Sequence, residues 1–427
     1  MKFDREFNFV KYKLSNGLNV ILYQDKSTPL VATNLYYNVG SYRDPQNKTG
    51  IAHLFEHLMF EGSKNVKKGE HFKFIEDLGG GLNAFTSFDK TVYYEFIPAD
   101  YLELILFLEA DRMFNLLDGL NEENLKNQID VVYNERLERY DNTPYGLTFE
   151  NILFNIYPKT HPYAHPVIGS ADDIKSYTLN DVKEFYQKYY HPANASLVVA
   201  GNFDFDTAKK LIEQYFDKNI ITLPSEQIQI ENFEINKTFE KRIYDNVQFP
   251  LVNMTFKASR YDERDSIVLS MFSELLSSYN NSYLNKKYYF EEQSVLNISS
   301  YNLALKHDGI FFVQFLPKSI ESIDKLIENV YTDILNIRNN LPDDFMLQKI
   351  KNSNFSNFIF SLQSISDVAN QINEYEFYYN DPDYFKKTIE IYNSITNDDI
   401  VYIIEKYFQN KNYFILKVFP KSEAENA

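Results

Sequence analysis

Alternating apolar and polar residues open the chain. Val10 to Leu14 and Leu18 to Tyr23 read as two strands around Asn16-Gly17, the dipeptide that tight hairpin turns favour. Val31 to Val39, rich in β-branched and aromatic residues, predicts a third strand. The next segment is apolar almost all round. Ile51, Ala52, Leu54, Phe55, Leu58, Met59 and Phe60 predict a buried helix ending near Gly62. Leu82 to Phe88 and Thr91 to Ile97 predict two more strands. Helical periodicity then covers about Tyr101 to Leu117 and Glu122 to Tyr140, with Leu125, Ile129 and Val132 as the apolar stripe of the second.

Two distant passages share one pattern. Thr178-Leu179-Asn180-Asp181-Val182, then Tyr189-Tyr190, then Leu197-Val198-Val199 is matched by Thr396-Asn397-Asp398-Asp399-Ile400, Tyr407-Phe408 and Ile415-Leu416-Lys417. Asp181 and Asp399, Tyr189 and Tyr407, and Leu197 and Ile415 each stand 218 residues apart. Both passages read as N-cap, amphipathic helix, strand. Carried back, the offset lays Met271 to Leu276 under His53 to Leu58, with Met271 and Leu275 where the first copy has histidines. The repeat predicts an α+β chain of two homologous domains, each a β-sheet with helices packed on it. Residues 1–222 and 245–427 form the two copies. A linker is expected at 223–244, where Leu223-Pro224 and a polar, charged stretch interrupt the pattern.

With 427 residues, 44% of them hydrophobic, the chain has ample material for two cores. Zero Cys excludes disulfides and thiolate ligands, so a metal site must draw on His and carboxylates. No apolar run approaches the roughly 20 residues that cross a bilayer. The start, Met1 to Glu6, lacks the apolar stretch of a signal peptide. The chain as given is therefore expected in the cytoplasm, or in the periplasm or an organelle if it is a processed form. A formal charge of −17 disfavours nucleic acid and favours basic partners.

The candidate chemistry lies in His53-Leu54-Phe55-Glu56-His57. On a helix, residues four apart share a face, so His53 and His57 can converge on one metal ion. Glu56 lies to the side, where it can reach a water at the metal without being a ligand. This is H-x-x-E-H, the mark of inverted zincins. A catalytic zinc takes a third protein ligand, and a carboxylate of the helix at Glu122 to Tyr140 suits it. Glu123, Glu135 and Glu138 are available; Glu135 continues the apolar stripe beside Val131 and Val132. The remaining histidines, His71, His161, His165, His191 and His307, have no ligand spacing and read as structural or solvated.

With Val131-Val132-Tyr133-Asn134-Glu135 downstream, the motif resembles the pitrilysin/insulinase family of zinc metallopeptidases, most of all its shorter bacterial members and the mitochondrial processing peptidase β subunits. The resemblance continues in Gly80 to Thr86, His161-Pro162-Tyr163, Ile168-Gly169 and Tyr190 to Ala195. It is specific over residues 8–220 and general over 245–420. It implies a zinc endopeptidase with one Zn2+ per chain on His53, His57 and Glu135, and Glu56 as general base. It also implies that Asn83, Ala84, Phe85 and Thr86, on an edge strand, hold an extended peptide substrate by β-augmentation. Two such units would enclose a chamber for peptides or unfolded segments.

Two departures from the family pattern stand out. Where relatives often have an acid seven residues before the third ligand, this chain has Gln128, which shares the face of Glu135 and is expected to support the ligands by hydrogen bonding. Family members also use an Arg and a Tyr in the second half to hold substrate. The corresponding positions here are Tyr289 and Leu296, in a stretch without Arg. The chain therefore reads as the zinc-bearing half of a heterodimer whose homologous partner supplies Arg and Tyr, or else as a homodimer. The alternative is a non-catalytic scaffold subunit of the same fold.

Overall fold

A computed structural model describes residues 7–220, 222–224, 228, 230 and 233–423. The first half builds a six-stranded sheet from β1 (Phe9–Lys13), β2 (Asn19–Gln24), β3 (Leu30–Tyr37), β4 (Gly81–Thr86), β5 (Thr91–Pro98) and β6 (Ala195–Gly201). Its order is β1-β2-β6-β3-β5-β4. The hairpin forms around Gly17, whose φ of 93° suits glycine, and Val10 pairs with Leu22. The second half builds five strands, β7 (Phe239–Asp245), β8 (Leu251–Ala258), β9 (Val295–Ala304), β10 (Gly309–Pro317) and β11 (Tyr413–Pro420), in the order β7-β11-β8-β10-β9.

Without β1 the two sheets have one topology. β2 runs parallel to β6 and β7 parallel to β11, while every other pairing is antiparallel. The repeat is also visible in its caps: Thr178 with Asp181 and Thr396 with Asp399 each form a capping box. Two homologous α+β halves are thus present.

The expected linker at 223–244 needs correction at its end. Residues 239–244 belong to β7, which pairs with β11, and Phe233 and Ile235 are buried. The charged alternation of β7, Phe-Glu-Lys-Arg-Ile-Tyr-Asp, is that of an edge strand and resembles a polar connection in sequence.

Four helices of the first half position the candidate site: α1 (Ile51–Leu58), α2 (Glu70–Asp77), α3 (Leu102–Gly119) and α4 (Glu122–Arg136). Asp44 holds the start of α1, accepting from the backbone N–H of Gly50 at 2.6 Å and of Ala52 at 3.1 Å. The side chain of Asn121 caps α4, and a π-helical turn, Leu137–Asp141, extends it.

Each half covers the other's sheet. The helix Ile365–Tyr379 packs on β3, β6 and β5 of the first sheet, where Val368, Ala369 and Ile372 meet Ile21, Ala32, Val198 and Ala200. The helix α5 (Thr148–Ile156) packs on β11, where Ile152, Leu153 and Ile156 meet Ile310, Phe312, Leu416 and Val418. Because these helices occupy corresponding places in the repeat, the exchange is reciprocal and makes the halves one folding unit. Ile372→Ala should cost about 2–4 kcal/mol and leave a single unfolding transition, followed by circular dichroism in urea. Two separate transitions would contradict this coupling.

Candidate metal centre and its surroundings

Buried apolar positions of α1 turn His53, Glu56 and His57 to its one remaining face, towards α4 and β4. Glu135, on the last turn of α4, meets both histidines. Its Oε1 lies 3.8 Å from His53 Nε2 and its Oε2 3.4 Å from His57 Nε2. The three donor atoms fall within 4.8 Å of one another, and they are the one such group among the described residues. Ligands at about 2.05 Å from a tetrahedral zinc stand roughly 3.3 Å apart, so the donor set suits that ion with small adjustments. Glu123 and Glu138 are exposed and outside the group.

The electrostatics favour ligation. Burial, and then the neighbouring His57, push the His53 imidazole down to about 4, so it is neutral at neutral pH with a free lone pair. Burial works to raise the Glu135 carboxyl, but its hydrogen bond to His57 and the charges of His53 and Arg139 outweigh this and hold it low. Arg139, one turn further on, pairs with Glu135 Oε1 at 2.8 Å.

Glu56 is held differently. Its Oε2 accepts from Thr86 Oγ1 at 2.7 Å. Burial raises its carboxyl, against the lowering effect of the Thr86 bond. Thr86 thus contacts the side chain expected to act as base. β4 pairs with β5 on one side and is the last strand of its sheet. Asn83 is exposed on it, whereas Ala84 and Phe85 are half-buried. Gln128 does not support the three donors as expected. Its amide donates to Glu61 Oε1 at 2.8 Å, and Glu61 in turn pairs with Lys68.

Sequence models of one family match both parts of the chain: "Insulinase (Peptidase family M16)" over residues 19–170 and "Peptidase M16 inactive domain" over 176–354. The chain belongs to the M16 peptidase family. It is 29% identical to "Zinc protease PqqE" of Helicobacter pylori over 408 residues, 93% of this chain and 89% of that protein. It is 22% identical to "Probable mitochondrial-processing peptidase subunit beta" of Arabidopsis thaliana over 84% of this chain and 68% of that one. The crystal structure of a protease from Helicobacter pylori covers 97% of this chain and 100% of its own, with a TM-score of 0.88 and 27% identity.

The second M16 half lacks the donor set. Met271 and Leu275 are buried where the first half has His53 and His57, and Ser353 stands 218 residues after Glu135. Glu274, the counterpart of Glu56, accepts from Asn354 at 2.6 Å and from Tyr279 at 2.9 Å. The stretch corresponding to the family's Arg and Tyr folds as a π-helical turn, Asn285–Glu291. Tyr288 and Lys287 are both engaged with Asp333, while Tyr289 and Leu296 are exposed.

A buried polar cluster lies behind α1, beyond what the motif's spacing predicts. Arg112 makes a two-pronged pair with Glu109, His71 contacts Glu95 at 3.1 Å, and Arg112 lies over the rings of Phe60 and Tyr93. Tyr93 in turn donates to the carbonyl of Phe55, inside the motif helix, at 3.3 Å. The signal was available: Glu109 and Arg112 sit three apart, on one face of a helix rich in apolar residues. Arg112→Met strands the buried carboxyl of Glu109 and should cost about 3–5 kcal/mol in urea denaturation of the chelated protein. A loss below about 1 kcal/mol would mean that the cluster does not brace α1.

Proposed function

We propose that this chain is a zinc endopeptidase acting on peptides or unfolded segments, and the zinc-bearing subunit of a two-chain enzyme. The observation that carries the reading is the meeting of two imidazole nitrogens and a carboxylate within 4.8 Å, with Glu56 held beside them by Thr86. His53, His57 and Glu135 would hold the ion. A zinc there would supply Lewis-acid polarisation of the scissile carbonyl and bring the pKa of a water towards neutrality. Glu56 would take the proton of the attacking water and pass it to the leaving amine. The Thr86 bond fixes its orientation for that transfer. Asn83, Ala84, Phe85 and Thr86, on the free edge of β4, would receive an extended peptide through backbone hydrogen bonds, which explains a tolerance for sequence. Burial of β4's other side against β5 keeps that edge rigid.

The purified chain should hold about one zinc, and His57→Ala should lose it. Glu56→Gln should keep zinc and fold yet lose on the order of 10²-fold or more in peptide hydrolysis, read by metal analysis and fluorogenic peptide assay. Unchanged turnover would remove Glu56 from the mechanism.

The developing oxyanion also needs fixed donors, and losing one such donor commonly costs about 10²–10³-fold. Asn285–Glu291 contains no Arg and so no guanidinium, and its Lys287 is committed to Asp333. A homologous partner chain is therefore proposed to supply Arg and Tyr, in keeping with the subunit status in the name of the Arabidopsis relative. Alone, the chain should hydrolyse peptides weakly, and the partner should restore activity without adding a second zinc. Full activity of a monomer or homodimer, established by sedimentation, would contradict this. The match of residues 176–354 to an inactive-domain model favours a second reading, a non-catalytic scaffold subunit, which metal-free purified protein would support.

A further inference from the structure

The turn between β4 and β5 carries two buried charged residues, Asp89 and Lys90, outside the metal group. Burying charge costs several kcal/mol unless partners are supplied. Those of Asp89 come from three separate segments. One carboxylate oxygen accepts from the Tyr163 hydroxyl; the other accepts from the backbone N–H of Lys306 at 2.9 Å and the Tyr378 hydroxyl at 3.3 Å. Lys90 pairs with Glu374 and lies over the rings of Tyr36, Phe377 and Tyr378. Lys306, Glu374, Phe377 and Tyr378 all belong to the second half. Lys306 sits in the turn between β9 and β10, the counterpart of the turn it grips, and its amine reaches Asn38 Oδ1 at 3.0 Å.

The gripped turn ends at the candidate base. Thr86, three residues before Asp89, is the residue bound to Glu56. The intervening turn is braced throughout. Ser87 N–H donates to Lys90 O at 2.8 Å, and Ser87 Oγ accepts from the N–H groups of Asp89 and Lys90. Ser41 and Tyr42 N–H groups hold the carbonyls of Ser87 and Phe88 at 3.1 and 3.0 Å. The approach passes across Gly40, where a Cβ would lie 2.4 Å from each of those oxygens. A shift at Asp89 therefore has little slack in which to be absorbed before it reaches Thr86.

We propose that Asp89 is a positioning residue through which the second half sets the Thr86–Glu56 contact. This rests on the reading of Glu56 as general base. It gives the metal-free half a part in the reaction that needs no contact with substrate.

The test uses the full chain with its proposed partner and four variants: Asp89→Ala, Asp89→Asn, Thr86→Val and the double Asp89→Ala/Thr86→Val. Asp89→Ala keeps the Ser41 and Tyr42 anchors, so it should fold and retain about one zinc. Amide exchange across residues 81–86 should rise about tenfold or more, with α4 unchanged. The kcat for peptide should fall about tenfold with KM within about twofold, and Asp89→Asn, which keeps a carbonyl acceptor, should recover part of it. Thr86→Val should cost a similar factor, and adding Asp89→Ala should cost less than about twofold more, because both act on one contact. Unchanged exchange across residues 81–86 overturns the proposal whatever the activity. Strictly multiplicative kinetic losses overturn it too. If the parent protein hydrolyses nothing, the general-base reading fails, while the exchange measurement still decides whether Asp89 fixes the edge strand. Should Asp89→Ala not fold, Asp89→Asn is judged by the same exchange readout.

Discussion

Five apolar side chains of an eight-residue helix, Ile51, Ala52, Leu54, Phe55 and Leu58, are at most 1% exposed. Their burial leaves α1 a single face on which polar groups can survive, and His53, Glu56 and His57 are spaced to share it. Polar groups in such surroundings must be paired, and the pairing explains the arrangement around them. Glu135 approaches the imidazoles from α4, Thr86 approaches Glu56 from β4, and Asp44 caps the helix start. Two elements distant in sequence, α4 and β4, are thereby drawn to one helix face.

Duplication explains why those elements can be held so firmly. A sheet that carried helices on one face only would leave Ile21, Ala32, Val198 and Ala200 in water. In this molecule the helix Ile365–Tyr379 from the other copy covers them, and α5 returns the cover to β11. Burial of apolar surface at roughly 25 cal/mol per Å2 makes this exchange a large part of what joins the halves. Polar groups then set its register. Asn373 donates to the carbonyls of Asn34 and Ser196, and Glu376 accepts from Lys11 and Asn19.

Much of this was legible in the sequence, for identifiable reasons. The hairpin, β3, α1 and the paired caps each declare themselves within a few residues through turn chemistry, alternation or spacing. The 218-residue offset fixed the second copy and the loss of its histidines. What escaped depends on distance in space. Periodicity favours Glu135 over Glu123 and Glu138, because it continues the stripe of Val132, but only packing against α1 shows how near its carboxylate comes to the imidazoles. Gln128 shares a face with Glu135 as the seven-residue spacing requires, but Glu61, just past the end of α1, meets its amide instead. β7 reads as linker in the sequence because a charged edge strand and a polar connection look alike. That each half's helix covers the other half's sheet has no local signature, since an amphipathic pattern states that a face is buried and not against what.

The second copy shows what the first face would be without its donors. Met271 and Leu275 remove the two imidazoles, and the remaining carboxylate, Glu274, is pushed up by burial although Asn354 and Tyr279 donate to it. Two neutral donors are enough to keep a buried carboxyl in place, so the fold does not need a metal there. The same fold in the first copy retains a largely buried pair of imidazoles and a carboxylate that pairs outward with an exposed Arg139. Stability alone would favour the Met and Leu solution, because apolar side chains fill a buried site without desolvation cost. Retaining the costlier arrangement in one copy and discarding it in the other is the pattern expected when one copy performs chemistry and its duplicate serves to hold that copy's edge strand and sheet in place.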